Sequence, residues 1–395
     1  MIRRHISAAL KKAASKYPVV AVTGPRQSGK TTLCMKLFKD YAYVNLEKPD
    51  ERRFATEDPN GFLARFKKPV IFDEIQRAPE LFSYLMPIID SNKKPGRFIL
   101  TGSQNFLLME SISQTLAGRC AIFHLLPFSL REITGNSIFD VLSFASKDHI
   151  HKPESFSLAE HLHKGGFPPV YDRGYSSFDW FGQYTQTYLE RDVRTLLNIG
   201  DIETFERFLR LCAGRAGQIL NLSSLASDCG ISVMTAKRWI SVLKASFTVS
   251  LLRPHYKNFS KRLIKSPKLY FYDTGLLCYL LGIRNADELL SHSMRGAIFE
   301  SFIVSEITKA CFNTGVEPPI YYWRDSTGHE IDLIIEKREK LLPVEIKSGC
   351  TIASDMFQNL KWWLQLSGMK EAALVYGGDD QYIRESIKVC PWFYV

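Results

Sequence analysis

The chain has 395 residues, 45% of them hydrophobic, and 51 Lys and Arg against 41 Asp and Glu give a net charge of +10 and a pI near 9.1. This content excludes disorder and calls for two or three domains with real cores, and the basic balance favours polyanionic partners such as nucleic acid. Eight scattered cysteines without Cys-x-x-Cys or zinc spacing, no signal-peptide core and no spanning apolar run exclude a disulfide scaffold, a zinc site and a membrane anchor, leaving a soluble cytoplasmic protein.

In chain order, the first signal is "VVAVTGPRQSGKTTL", residues 19 to 33. A short β-type run leads through Gly24, Pro25, Arg26, Gln27, Ser28, Gly29, Lys30, Thr31 and Thr32 into a helix-forming stretch, the context a phosphate-binding loop requires. Small residues let backbone N–H groups curl around phosphates, the helix start adds its positive end, Lys30 reaches the β- and γ-phosphates, and Thr31 ligates Mg²⁺. The second signal is "PVIFDEIQ", residues 69 to 76, a buried strand ending in Asp73 and Glu74. Asp73 is placed to hold Mg²⁺ and Glu74 to polarise the attacking water. Further β-type runs at 41–47, 97–103 and 120–127 alternate with helical segments, which implies a parallel sheet covered on both faces. Thr101, Ser103 and Gln104 of "RFILTGSQN" fall at its C-terminal edge, where one of them is expected to sense the γ-phosphate or position water. The segment 92–95 lacks the Asp of a guanine-reading Asn-Lys-x-Asp, so ATP is the expected nucleotide.

These residues, with "TGSQ", resemble the AAA+ branch of P-loop ATPases, specifically the prokaryotic family that joins such a module to a C-terminal domain of unknown function. The resemblance spans nearly the whole chain through "SISQTLAGR", "GGFPPVY", "YLERDV", "LYFYDTGLL" and "GAIFESFIVSEI". It implies a helical lid after the core, and an arginine finger at Arg119, with Arg191 and Arg194 as rivals. A finger that enters a neighbour's site implies a homo-oligomer.

The middle reads as three helical patterns followed by a basic stretch, and resembles a winged helix-turn-helix. Ser232 is a fitting N-cap for its third helix. That helix is expected to carry Thr235, Lys237 and Arg238 toward a groove, with Trp239, Ile240 and Leu243 in the core. The stretch 253–268 has six Lys or Arg, no acidic residue, and interleaved Tyr256 and Phe259, a wing suited to DNA phosphates.

At the C-terminal end, Glu300 and Glu306 interrupt the apolar pattern of a helix over 296–312. "YYWRDSTGHEIDLIIEKREKLLPVEIKSG" then reads as a β-hairpin with Asp332 in its first strand. In the second strand, period-two alternation puts Glu345 and Lys347 on one face, opposite Val344 and Ile346. A helix Glu, a strand Asp and a Glu-x-Lys resemble the PD-(D/E)xK nuclease core, without its usual proline before Asp332. In that chemistry Asp332 and Glu345 ligate Mg²⁺, Lys347 orients the attacking water, and Glu300 joins the catalytic set. Gln358 and Trp362 either line the substrate groove or belong to a packing helix.

The expected architecture is α/β in three parts. An AAA+ parallel-sheet core and lid covers 1–200, a winged helix 201–270, and a restriction-endonuclease-like α/β domain 271–395. The expected function is ATP hydrolysis coupled to action on DNA, with ATP and Mg²⁺ as cofactors. The alternative is a nucleotide-controlled switch that binds DNA or protein through a nuclease fold that no longer cuts.

Overall fold

In the first 128 residues, five apolar runs form β1 (Val19–Thr23), β2 (Ala42–Asn45), β3 (Val70–Asp73), β4 (Phe98–Gly102) and β5 (Cys120–His124). The computed structural model of the chain describes residues 2–92, 94–103, 112, 115–141, 144, 157–189, 202–255, 266–337 and 340–395. Clustering of contacts divides it into two units. The first is Met1–Phe128 with Ala245–Phe247 and Phe312–Val316, and the second is Ser129–Lys244, Thr248–Cys311 and Glu317–Val395.

In the first unit the strands pair in parallel in the order β2-β3-β4-β1-β5. β1, β3 and β4 are buried at every residue, as continuous Val, Ile and Phe runs require when both faces are covered. One face packs Phe62, Phe72, Leu85 and Phe98, and the other packs Ile6, Leu10, Val22, Leu33 and Ile99. The helices named below are α1 (Ser7–Ala14), α2 (Lys30–Leu37) and α3 (Leu81–Ser91). β1 lies where the strand order reverses, so its C-terminal loop meets the ends of β3 and β4 at the switch point where ligands bind in such sheets.

The second unit begins with α4 (Leu130–Ile133) and α5 (Leu158–Lys164) and continues through α6 (Ile202–Ala213), α7 (Leu222–Cys229) and α8 (Val233–Ala245). An antiparallel pair follows, β6 (Val249–Leu252) with β7 (Lys268–Phe271), and an isolated bridge joins Ile219 to Lys268. Asn221 caps α7 by accepting from Ser224 N at 3.0 Å, Gly230 ends it in the left-handed region, and Ser232 Oγ accepts from Thr235 N at 3.0 Å. Trp239, Ile240 and Leu243 are buried.

The described part of 129–200, grouped in the sequence with the lid of the first domain, shares the core of the second unit. Leu130, Phe139, Leu162 and Phe167 belong to one apolar cluster with Phe208, Tyr270, Phe302 and Trp392. Buried carboxylates fasten it. Glu306 accepts from Leu130 N and from Lys309 Nζ, both at 2.8 Å. Asp273 accepts from Gly166 N at 2.7 Å and caps α9 (Thr274–Leu280) through Leu276 N at 3.0 Å. The segments "GGFPPVY" and "LYFYDTGLL" thus meet in a structural contact.

After α10 (Arg295–Thr314) come β8 (Ile320–Arg324), β9 (Glu330–Lys337), β10 (Lys340–Lys347), α11 (Gln358–Ser367), β11 (Ala372–Tyr376), β12 (Tyr382–Arg384) and β13 (Ile387–Pro391). The sheet order is β12-β13-β11-β10-β9-β8. β8, β9 and β10 pair antiparallel, β10, β11 and β13 pair parallel, and β12 closes the edge antiparallel. α10 and α11 cover opposite faces: Phe299 and Ile303 pack with Val344 and Ile346, while Leu360 and Trp363 pack with Ile331, Ile334 and Leu374. The register slips between Tyr321 and Trp323, where three steps of β9 (Ile331 to Ile334) oppose two of β8. This bulge interrupts the period-two alternation of a regular strand, so Ile331 and Ile334 join the same cluster. Among the described residues no helix is long and apolar enough to cross a membrane.

Candidate functional site

Two clusters of polar side chains stand at strand ends, one in each unit. In the first, Gly24 takes φ +153°, and a Cβ there would lie 2.1 Å from Leu125 O, so only glycine fits the turn out of β1. Gly29, also at positive φ, leads into α2. Lys30 is buried, and its Nζ donates to Gly24 O at 3.0 Å and Pro25 O at 2.8 Å. Thr31 Oγ1 donates to Asp73 at 3.0 Å from each carboxylate oxygen. Asp73 also accepts from Thr101 Oγ1 and, at 2.8 Å, from the Tyr43 hydroxyl. A hydroxyl facing a carboxylate at the loop is a donor set that fits Mg²⁺.

Glu74, just past β3, sits in the left-handed region at φ +55°. Its carboxylate accepts from Ser103 Oγ at 2.8 Å and from Gln76 Nε2. Burial alone would raise its pKa, but Lys30, Ser103, Gln76 and Arg26 together hold it below the ordinary carboxylate range. Arg26 lies 3.7 Å from Glu47, and Thr32 is exposed on the first turn of α2. Arg119 makes a two-pronged pair with Asp90 of α3, at 2.7 and 3.0 Å, on the surface of the first unit. Sequence reasoning missed Tyr43, and it missed Arg4, which donates to Ser28 O at 2.9 Å and to Leu126 O.

The second cluster brings together Glu300 from α10, Asp332 from β9, and Glu345 and Lys347 from β10. Lys347 Nζ lies 2.8 Å from Glu345 and 3.5 Å from Asp332, while Asp332 Oδ2 accepts from Ile346 N at 2.9 Å. Glu345 is 2% exposed, its carboxylate is approached by the Asn359 side chain as well as by Lys347, and its buried Oε2 makes no hydrogen bond of good geometry. Burial and then Asp332 raise Glu345 to about 8 against the pull of Lys347. The same two causes raise Glu300 to about 7 against Lys268 and Tyr270. An orphaned oxygen on a buried carboxylate beside Asp332 fits a divalent cation held by that pair, although no three His, Cys, Asp or Glu among the described residues form a preformed cage.

Three members of this cluster escaped the sequence reading. Lys268 of β7, counted in the sequence as the last cation of the basic stretch 253–268 facing DNA phosphates, is instead 3% exposed, 3.1 Å from Glu300 and 4.0 Å from Asp332, and paired with Glu330. Tyr270 donates to Glu300. Glu330 also pairs with Arg324 at 3.1 Å. Burial would lower the Lys268 pKa, but Glu300, Asp332 and Glu330 raise it, so it is a fixed cation. Its one mark in the sequence is that it is the single charge at the head of the apolar run "LYFY". Trp362 stacks on His329 with ring centres 3.9 Å apart, Gln358 is exposed at the start of α11, and neither joins the carboxylates. Lys237 and Arg238 are exposed on α8, and Thr235 is half-buried at its start. Gln104, Arg191, Arg194, Tyr256 and Phe259, with parts of "SISQTLAGR" and "YLERDV", lie outside the described residues.

Residues 16–134 match the model of an AAA domain, residues 155–287 a domain of unknown function (DUF8612), and residues 295–395 another domain of unknown function (DUF4143). A solved Walker-type ATPase of Pyrococcus abyssi aligns over 70% of this chain and 94% of its own at 15% identity, with a TM-score of 0.45. Uncharacterized protein Rv2008c of Mycobacterium tuberculosis is 32% identical over 386 residues, 96% of this chain and 81% of that protein, and Mb2031c of Mycobacterium bovis matches equally. At that identity over nearly its full length, the chain belongs to the same family as these two mycobacterial proteins, and its N-terminal part is an AAA-type P-loop ATPase domain.

Proposed function

We propose that the protein is a cytoplasmic, homo-oligomeric ATP hydrolase that acts on DNA, with a PD-(D/E)xK-like metal-dependent nuclease site in its second unit. The observation that carries the ATPase reading is the meeting of Lys30, Thr31, Asp73 and Glu74 at the ends of β1 and β3. Mg²⁺ held at Thr31 and Asp73 supplies charge neutralisation on the phosphate oxygens. Lys30 turns from the carbonyls of Gly24 and Pro25 to the phosphates. Glu74, ionised at neutral pH and aimed by Ser103, takes the proton of the attacking water.

The nuclease reading is supported by the α10-β8-β9-β10-α11-β11 succession and by Glu300, Asp332, Glu345 and Lys347 in one cluster. Asp332 and Glu345 would hold a divalent cation, which when bound would lower the pKa of a coordinated water. Lys347, within reach of both carboxylates, orients that water and offsets charge on the phosphodiester. DNA contact is supported by the three helices α6 to α8 followed by the β6–β7 pair, an order that suits a winged helix, with Lys237 and Arg238 exposed on the third.

Lys30→Ala is expected to lose ATP binding, and Glu74→Gln to keep binding while turnover falls about a hundredfold or more. Turnover equal to wild type in both variants would refute the ATPase assignment. For the second site, supercoiled and single-stranded DNA are incubated with Mg²⁺ or Mn²⁺, with and without ATP, beside Asp332→Ala. Metal-dependent cleavage lost in the variant supports the nuclease. DNA binding without cleavage supports the alternative, a nucleotide-controlled switch.

A further inference from the structure

We propose that Lys268 is a built-in cation that takes the place of a second metal ion, so that the carboxylate cluster takes one divalent ion, at Asp332 and Glu345, and Glu300 anchors the lysine. This rests on the metal-dependent reading of that cluster. Four carboxylates, Glu300, Glu330, Asp332 and Glu345, crowd the ends of β9 and α10, a concentration of acid that two-metal phosphodiesterases neutralise with two ions. Here it divides into two halves. In one half, Glu300 Oε1 takes both Lys268 Nζ at 3.1 Å and the Tyr270 hydroxyl, and Glu330 pairs with Lys268 on one oxygen and Arg324 on the other. Each is already bound to a cation of the chain. In the other half, Lys347 lies 2.8 Å from Glu345 Oε1 and 3.5 Å from Asp332, the Asn359 side chain approaches the Glu345 carboxylate, and the buried Oε2 makes no hydrogen bond of good geometry.

The strand that carries Lys268 is fixed independently of the cluster. β7 pairs with β6, Leu269 O accepts from Gly217 N at 2.7 Å, and Gly217 brings the chain so close that a Cβ there would be 3.3 Å from Glu300 Oε2. With 3% of its side chain exposed, Lys268 is buried among its carboxylate partners. A lysine ammonium is a point charge with three donors, so it can satisfy three carboxylates at once, yet it acidifies no water. Lys268 is therefore a positioning residue: it holds Glu300 and Glu330 and leaves one side of the cluster to an exchangeable ion. Because β7 belongs to the β6–β7 pair, whatever shifts that pair withdraws the cation from the cluster.

The test counts bound Mn²⁺ by electron paramagnetic resonance on the full chain without nucleotide, as the difference from Asp332→Ala, with circular dichroism and a thermal melt as folding controls. Wild type is expected to bind one Asp332-dependent ion and Lys268→Arg still one. Lys268→Met is expected to bind two, the second lost again when Glu300→Gln is added. Two ions in wild type, or one in folded Lys268→Met, would overturn the proposal. If Lys268→Met does not fold, Glu300→Gln decides alone: one ion retained supports the lysine as Glu300's partner, and none retained makes Glu300 a ligand and overturns it. No Asp332-dependent ion in wild type or in Lys268→Met removes the metal reading of the cluster itself, a result distinct from a wrong ion count.

Discussion

The Arg4 guanidinium, 6% exposed, donates to the carbonyls of Ser28 and Leu126 and lies 4.8 Å from the centre of the Phe128 ring. Ser28 is in the phosphate loop, so a residue twenty-four positions earlier fixes the backbone that must curl around ATP. Arg4→Met would leave two carbonyls without their charged donor. Hydrogen bonds to charged groups are worth about 1.5 to 3 kcal/mol, so a loss of about 3 kcal/mol in urea unfolding is expected. A loosened loop is expected to raise the ATP KM roughly fivefold, about 1 kcal/mol, with kcat little changed. A KM at the wild-type value would show that Arg4 braces the fold and not the loop. The loop itself was legible because its residues are contiguous: "GPRQSGKTT" carries both the turn and the grip. Arg4 was not, because nothing in "MIRRHISAALKK" tells which basic side chain turns inward. Lys268 and Tyr43 were missed for the same reason, since each acquires its role only from the carboxylate that strand pairing sets beside it.

At the scale of elements, the strands of the first sheet and the helix order of the middle followed from apolar runs and caps such as Ser232. The bulge in β9 did not, because a one-residue slip depends on the partner strand and leaves no mark in "EIDLII". Nor did the placing of 129–189, because the amphipathic helices of a lid and of a core look alike until their partners are known. α5 shows what such burial costs. His161 on this helix is buried against Phe302, and burial first, then Lys309 and Lys164, lower its pKa to about 3. A histidine held neutral in the fold contributes stability above its unfolded pKa of about 6.5 and loses it as pH falls toward 3. At pH 5 the loss is about 2 kcal/mol. Urea midpoints of wild type are thus expected to fall between pH 7.5 and 5 by more than those of His161→Phe, and parallel curves would contradict the buried neutral ring. On α8, the exposed Lys237 and Arg238 make a second test. Their double alanine variant is expected to weaken DNA binding at all sequences alike and to reduce the slope of log K against log salt by about 1.8, at roughly 0.9 per phosphate contact. A change confined to one sequence would assign them to base edges.

For the molecule as a whole, the open chemical question is where the positive charge that completes ATP hydrolysis comes from. Within the first unit Lys30 and Arg26 are cations at the phosphate loop, both acting on Glu74, and Arg119 is held by Asp90 of α3. That pair is exposed and screened by solvent, so Arg119 is easily released to another partner. A finger supplied in trans makes two defective chains complementary: one that cannot bind ATP can still lend its arginine, and one that lacks the arginine can still bind ATP. Lys30→Ala and Arg119→Ala are each expected to lose most turnover alone, with Arg119→Ala keeping nucleotide affinity. If the finger acts in trans, mixing them in equal amounts is expected to restore activity, because with random head-to-tail pairing about one interface in four joins an intact loop to an intact arginine, giving roughly a quarter of the wild-type rate. Arg119→Ala turnover at the wild-type level would pass the role to Arg191 or Arg194. Loss of activity in Arg119→Ala without recovery on mixing would place the arginine in its own chain's site, and the ATPase would then need no neighbour.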